Sequence, residues 1–487
     1  MASVASQVKQ AGPVAPVVCV DLDGTLIASD LLSESILGYS RHHPLGIFRL
    51  PLWLLRGRAY FKQKLANPDY IRPETLPYRQ NVLETISALR EAGATRTVLA
   101  TASHVNLANA VARHLGIFDE VVATCDATNL KGTAKAQALE ARFGHDYLYI
   151  GDHTADLSVW ASACQGVVAG DEALAQRAAR VTQVVAQLND DAKLGLKGYW
   201  RALRPHHWSK NILLFLPLLL AHVSQPEAWL RVLLGTLLFG LGASGIYVTN
   251  DLLDLTSDRQ HPWKCLRPFA SGGLSIARGM ALGPALLAMG IGLGTLLLGY
   301  PFGLALAVYC ALSLAYSLVL KRKPLIDLFL LTGFYGIRIV TGALINHTPL
   351  SHWFLIFCMF FFFSLALAKR YSELVHAKAL IDAGNSGRGY RATDSQLLST
   401  MGVASAFAAI IVFSFYTHSP AVISLYPHPA PLLLIAPMLL YWLMRVWLRA
   451  DRGELNEDPV LLAMRDPMSY VIGTASFLCI LFTFFWR

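Results

Sequence analysis

Two hydrophobic rhythms divide the 487-residue chain. In its first 200 residues, short apolar runs end abruptly in polar ones. Val17-Val18-Cys19-Val20 stops at Asp21-Leu22-Asp23-Gly24-Thr25-Leu26, Thr97-Val98-Leu99-Ala100 stops at Thr101-Ala102-Ser103, and Tyr147-Leu148-Tyr149-Ile150 stops at Gly151-Asp152, with Asp156 following. Runs of four apolar, β-prone residues predict buried strands. Strands that finish in polar residues predict an open, parallel, Rossmann-like α/β sheet with its ligand at the carboxyl ends. Beyond residue 209 the rhythm lengthens. Apolar stretches at 211–223, 232–250, 281–298, 302–320, 325–345, 352–368, 400–417, 430–448 and 468–486 are long enough, or nearly so, to cross a bilayer. They predict an all-α membrane domain of nine transmembrane helices, preceded by a soluble domain at 1–185 and a linker at 186–208.

Composition sharpens the division. Charged residues make up 15% of the chain, against about a quarter in ordinary soluble domains. Residues 1–200 hold 19 Lys+Arg and 19 Asp+Glu, so the formal net charge of +9 belongs to residues 201–487. A neutral soluble half argues against nucleic acid. The basic residues fall in alternate loops, whereas the loops near 224–230, 299–301, 346–351 and 418–429 carry no Lys or Arg. The positive-inside rule then predicts a cytoplasmic N-terminal domain, with the C-terminus on the opposite face. Seven cysteines with no CxxC pair predict free thiols and neither a disulfide framework nor a structural zinc site.

Asp21, Asp23, Asp152 and Asp156 converge if the three strands are parallel neighbours. Such carboxylates repel one another unless a cation lies between them, and hard oxygen donors suit Mg²⁺ and a phosphate. Asp21 can attack phosphorus while Asp23 supplies and recovers the proton. Thr101 and Lys135 are candidates to hold the phosphoryl oxygens. This series resembles the haloacid dehalogenase (HAD) superfamily of phosphohydrolases over residues 15–185. The resemblance implies a nucleophilic Asp21, an acid/base Asp23, and a helical cap at about 27–95 that selects the substrate. Within the cap, Leu45 to Leu55 with Arg41, Arg56 and Arg58 reads either as cap core or as an interfacial segment resting on the bilayer.

In the membrane half, Asn250-Asp251-Leu-Leu-Asp254-Leu-Thr-Ser-Asp258 spaces three carboxylates to share one helix face. Carboxylates at a membrane surface are costly unless they bind metal, and a Mg²⁺-bridged diphosphate meets that need. Arg259, His261, Lys264 and Arg267 follow as phosphate-gripping candidates. The run resembles the first aspartate-rich motif of the UbiA-type intramembrane prenyltransferases. A second such motif is thin here: Tyr316, Lys321 and Asp327 are present, but residue 331 is Leu and Arg338 lies nearby. Arg204-Pro205-His-His-Trp208-Ser-Lys210, Lys369-Arg370-Tyr371 and Arg452-Gly-Glu-Leu-x-Glu457-Asp458-Pro459 add a resemblance to the decaprenyl-phosphate phosphoribosyltransferases. That branch implies phosphoribosyl diphosphate as donor and a polyprenyl phosphate as acceptor, in a bacterial inner membrane with the C-terminus periplasmic. On charge alone, Lys210 and Lys369 are equal candidates to orient the acceptor phosphate. The alternative is prenyl transfer from a polyprenyl diphosphate to an aromatic acceptor beside an independent HAD phosphatase.

Overall fold

The computed structural model describes residues 13–125, 130–189, 194–379, 389–426, 428–455, 462, 463 and 465–485. The motif residues Glu457, Asp458 and Pro459 lie outside them. The chain forms two compact units: Met1–Leu203 together with Tyr247–Pro284, and Arg204–Ile246 together with Ala285–Arg487.

The first unit is built on a six-stranded sheet. Its strands are β1 (Val17–Val20), β2 (Arg96–His104), β3 (Glu120–Thr124), β4 (Tyr147–Gly151), β5 (Gln165–Val168) and β6 (Gln183–Gln187). They lie in the order β3-β2-β1-β4-β5-β6, and every pairing is parallel. All three predicted strands are present, and they are adjacent in the order β2-β1-β4. Their unbroken apolar runs follow from burial on both faces. Val18, Val20, Leu99, Leu148 and Ile150 enter one core, whereas Val17, Cys19, Val98, Ala100, Tyr147 and Tyr149 enter the other. The strand order reverses direction at β1. Asp21 therefore emerges at the switch point, where a crevice forms beyond the strand ends.

A mainly helical insertion follows β1. It opens and closes at an antiparallel bridge between Ile27 and Tyr78. Its first helix, α1 (Leu31–His42), begins at Asp30, whose Oδ1 accepts from Leu32 N at 3.0 Å and Ser33 N at 3.1 Å. Helix α2 (Gln80–Glu91) places Val82, Ile86 and Leu89 in the sheet core and so belongs to the crossover layer. Within the insertion, Phe48, Leu52, Leu54 and Leu55 are exposed, Leu55 at 84%, which argues against the cap-core reading. Helix α3 (Val105–Leu115) packs Leu107, Ala108 and Val111 into the first core, and α4 (Thr133–Phe143) packs Ala136 and Leu139 into the second.

The expected linker at 186–208 holds the end of β6 and a nine-residue helix, α5 (Gly195–Leu203). The carboxyl end of α6 (Pro226–Leu253), the short α7 (Leu255–Arg259) and the start of α8 (Ile276–Leu298) also fold into the first unit. One apolar core explains this. It gathers Leu37 of α1, Ala202 of α5, and Val248, Leu252, Leu255, Phe269, Ala270, Leu274 and Ile276.

The second unit is helical. Among the described residues the chain has eight helices long and apolar enough to cross a membrane: Pro226–Leu253, Ile276–Leu298, Tyr300–Leu318, Ile326–Ile345, His352–Val375, Ala392–Thr417, Ala430–Asp451 and Pro467–Phe485. The first expected span, 211–223, is not among them. Residues Pro205–Phe215 form 3-10 turns and Leu216–Leu220 a single short helix. Pro205 and Pro217 each withhold a backbone N–H, which shortens helical runs. Asn211 is buried and its Oδ1 accepts from Arg338 Nε at 3.0 Å.

Candidate active sites

The first site assembles at the carboxyl end of β1. Asp21 donates its backbone N–H to Ile150 O at 2.9 Å, which seats it against β4. Lys135, near the start of α4, crosses beneath it. The lysine donates to Asp21 Oδ1 and to Tyr149 Oη, both at 2.9 Å, and lies 3.8 Å from Asp156. Tyr149 in turn donates to Asp156 Oδ1 at 2.9 Å. A lysine only 3% exposed is tolerable here because carboxylates surround it. Ligand oxygens of Asp21, Asp152 and Asp156 all lie within 4.8 Å of one another. This set of hard donors fits Mg²⁺.

Asp23 is turned elsewhere. Its Oδ1 accepts from Leu31 N at 2.8 Å and its Oδ2 from Ser103 Oγ at 2.5 Å, so its side chain stands outside the three-carboxylate group. Thr101 is fully buried, and its Oγ1 accepts from Ser103 N at 3.0 Å. Thr25 Oγ1 donates to Asp152 Oδ1 at 3.1 Å. Gly24 adopts φ +82°, and a Cβ there would lie 2.5 Å from Asp152 Oδ2. Burial pushes the Asp21 carboxyl up to about 7, with Lys135 opposing and Asp156 reinforcing the rise. Burial and Asp30 push Asp23 up to about 6. Sequence reasoning missed Ser103, Tyr149 and Thr25. Ser103 stood in the same polar strand end as Thr101, whereas Tyr149 read as core.

The second site surrounds the break between α6 and α7. Asp254 caps α7, and the backbone bonds continue through it, Asp254 N to Asn250 O at 2.8 Å and Asp258 N to Asp254 O at 2.9 Å. Asp251 and Asp258, 3% and 2% exposed, therefore still face one way. Arg267 Nη1 donates to both, at 3.3 and 2.5 Å. Among the described residues, Asp251, Asp254 and Asp258 do not gather three ligand atoms as closely as the first site does. Asp251 and Asp258 are held by Arg267 in this structure, and their oxygens are hard donors of the kind Mg²⁺ takes. Asn250 Oδ1 is buried beside them without a hydrogen-bond partner among the described residues.

Several expected phosphate ligands are committed to protein partners. Arg259 donates to both carboxylate oxygens of Glu34, at 2.7 and 3.2 Å, and to Ala270 O. Arg338 donates to Asn211, Tyr309 and Phe334 O. Arg370 is paired with Asp327 at 2.7 Å and with Glu373, while Tyr390 also donates to Asp327. These three arginines and Asp327 hold the fold together locally. His261 accepts from Trp263 N and Lys264 N, and Lys264 is exposed. Tyr316 packs edge-on to Phe334, and Lys210 Nζ lies 5.7 Å from the Tyr335 ring centroid. Lys321 and Lys369 are half-buried.

A parallel α/β domain with a carboxylate and lysine site, followed by apolar helices with aspartates at a helix break, is the arrangement of a hydrolase-like domain joined to a membrane domain. Residues 211–465 match the UbiA prenyltransferase family and residues 18–160 the haloacid dehalogenase-like hydrolases. The chain belongs to the UbiA prenyltransferase family and carries a HAD-like domain at its amino end. It is 39% identical to the uncharacterized protein y4nM of Sinorhizobium fredii over 463 residues, 94% of this chain and 89% of that protein. It is 33% identical to the nodulation protein NoeC of Azorhizobium caulinodans over 283 residues, 58% of this chain and 91% of that one. The decaprenyl-phosphate phosphoribosyltransferase of Corynebacterium glutamicum is 32% identical over 226 residues, 45% of this chain and 67% of that enzyme. A solved UbiA homologue from Archaeoglobus fulgidus bound to GPP and Mg²⁺ aligns at TM-score 0.44 and 16% identity, over 59% of this chain and 98% of its own.

Proposed function

We propose that the membrane half transfers 5-phosphoribose from phosphoribosyl diphosphate to a polyprenyl phosphate, and that the HAD-like domain removes the 5-phosphate from the product. The observation that carries the first step is the likeness to decaprenyl-phosphate phosphoribosyltransferases, taken with the buried acidic pair at the α6–α7 break. Asp251 and Asp258, with Asp254, would hold Mg²⁺, which when bound neutralises a leaving diphosphate. Arg267 is paired with Asp251 and Asp258, so it would meet diphosphate oxygens only after Mg²⁺ takes its place on the two carboxylates. Lys210 and Lys369 remain the candidates for the acceptor phosphate.

In the HAD-like site Asp21 attacks the phosphorus of the 5-phosphate. The ester bond to the ribose oxygen breaks, and that oxygen takes a proton from Asp23. Water then attacks the aspartyl-phosphate as Asp23 takes a proton back, releasing inorganic phosphate and restoring both carboxyls. Lys135 holds Asp21 in line, and Ser103 and Leu31 N fix the direction of Asp23. Asp21, Asp152 and Asp156 would hold Mg²⁺, which when bound screens the phosphoryl oxygens.

Both sites belong on the cytoplasmic face. Glu34 is ion-paired with Arg259, so the N-terminal domain shares a side with the end of α6. If α6 crosses the bilayer, residues 205–225 must cross as well, as a return leg that is not a long α-helix. The exposed apolar face at Phe48, Leu52 and Leu55 suits contact with that same bilayer surface.

The test supplies ribose-labelled phosphoribosyl diphosphate and polyprenyl phosphate to wild-type protein and to Asp21→Asn. Wild type should yield labelled lipid and inorganic phosphate. Asp21→Asn should yield labelled lipid that keeps its 5-phosphate, with phosphate release down about 10³-fold or more. Absence of label in lipid, with prenyl transfer to an aromatic acceptor instead, would overturn the first step.

A further inference from the structure

A cavity of about 720 Å³, within the ~300–1,000 Å³ range of small-molecule sites, lies beside the HAD-like site. Asp23, Gly24, Asp30, Arg79 and Asp152 line one part of it, whereas Asp21 is not among its lining residues. The rest is not supplied by the helical insertion alone. Tyr199 of α5 contributes, as do Gly272 to Ile276 and Arg278 from the turn that leads into α8. The phosphatase cavity is thus walled by the first turn of a membrane-spanning helix. Every residue in this wall folds into the first unit.

The wall is held closely against the acidic loop. Gly272 has φ +78°, and a Cβ there would meet Ala28 Cβ and Ala28 O at 2.5 Å, so only glycine allows this approach. Leu194 N donates to Gly273 O at 3.1 Å, which ties α5 to the same turn. Leu274 and Ile276 are anchored in the core shared with Leu37 and Ala202. Arg278 is exposed at the cavity and donates to Tyr199 Oη at 3.4 Å, a loose bond that leaves most of its donors to the cavity or to solvent.

We infer that this cavity takes a lipid-anchored phosphomonoester whose leaving alcohol carries a second anionic group, read by Arg278 together with Tyr199. The inference rests on the phosphatase reading of Asp21. Three observations favour this substrate class over small soluble phosphomonoesters. The cavity is larger than a phosphate needs, its far wall is the entry to a membrane span, and that wall presents a guanidinium. Arg278 is the group suited to a phosphodiester because its planar fork can give two parallel hydrogen bonds to one anion. Arg278 and Tyr199 therefore act as specificity residues for the alcohol, while phosphorus is handled by the aspartates.

The experiment measures phosphate release by the full-length protein from two substrates. One is p-nitrophenyl phosphate in detergent; the other is a short-chain polyprenyl-phosphoryl 5-phosphoribose in phosphatidylcholine vesicles. Wild type should favour the lipid in kcat/KM. Arg278→Gln should lower the lipid-to-soluble ratio about ten- to a hundredfold, mainly through KM, as expected for a lost charge-assisted contact. Gly272→Val, which displaces the wall without touching Arg278, should lower the ratio in the same direction. An unchanged ratio in both variants overturns the inference. If Asp21→Asn releases phosphate from both substrates as fast as wild type, the phosphatase reading itself fails.

Discussion

At Glu34 the carboxylate lies against Arg259 with both side chains over nine-tenths buried, at 7% and 6% exposure. Removing one partner strands the other charge in a poorly solvated place. Glu34→Ala should therefore cost about 3–5 kcal/mol, read as a lower thermal midpoint in detergent. Glu34→Leu with Arg259→Met should recover most of it, because the desolvation cost disappears with the charges. A double variant no more stable than the single one would show that Arg259 is needed for something else. Gly24 is constrained differently. Its φ of +82° costs an L-residue about 1–2 kcal/mol, and the added Cβ would press on Asp152. Gly24→Ala should cut phosphate release at least tenfold while labelled lipid still forms, since the aspartates at the α6–α7 break are untouched.

Helix packing in the second unit depends on small residues. Gly402, in the helix Ser395–Thr417, faces the Trp447 indole of the helix Ile435–Asp451, and a Cβ there would overlap the ring at 1.9 Å. The same contact is stitched by Trp447 Nε1 donating to Ser364 Oγ at 3.0 Å and Ser364 Oγ donating to Gly402 O at 2.8 Å. Small residues let helix backbones approach closely in membranes. Gly402→Ala should force the two helices apart at a cost of about 1–3 kcal/mol, measured as accelerated thermal inactivation in detergent. A wild-type inactivation rate would mean that the indole can swing aside. Strands, and spans from 226 onwards, were legible because burial on both faces, or burial in lipid, leaves a continuous apolar run. The expected span 211–223 is not a long α-helix because its apolar run contains Pro217 and a buried Asn211 that bonds Arg338.

The division of the molecule follows a shared core and not the change in composition. Leu274 sits among Leu37, Ala202, Leu252 and Phe269, residues drawn from three separated stretches of the chain. Leu274→Ala should cost about 2–4 kcal/mol by opening a cavity. It should also raise amide hydrogen exchange in both α1 and α5, because all three elements rest on that side chain. Faster exchange confined to residues near 274 would show that the core is not cooperative.

Burial and local spacing are properties of neighbouring residues, so the strands β1, β2 and β4, the long membrane helices and the acidic candidates Asp21, Asp152 and Asp156 could be read directly from order along the chain. Partners depend on which distant segments meet. Arg259 reads as a phosphate ligand because it directly follows the aspartate-rich run, yet Glu34, 225 residues away, satisfies it. Ser103 escaped notice because its bond to Asp23 exists only once β1 and β2 are paired. The ownership of residues 247–284 was likewise decided by tertiary structure. Apolar side chains from the insertion, α5 and the end of α6 are buried only by meeting one another, and no local pattern records which stretch will supply the other half of a core.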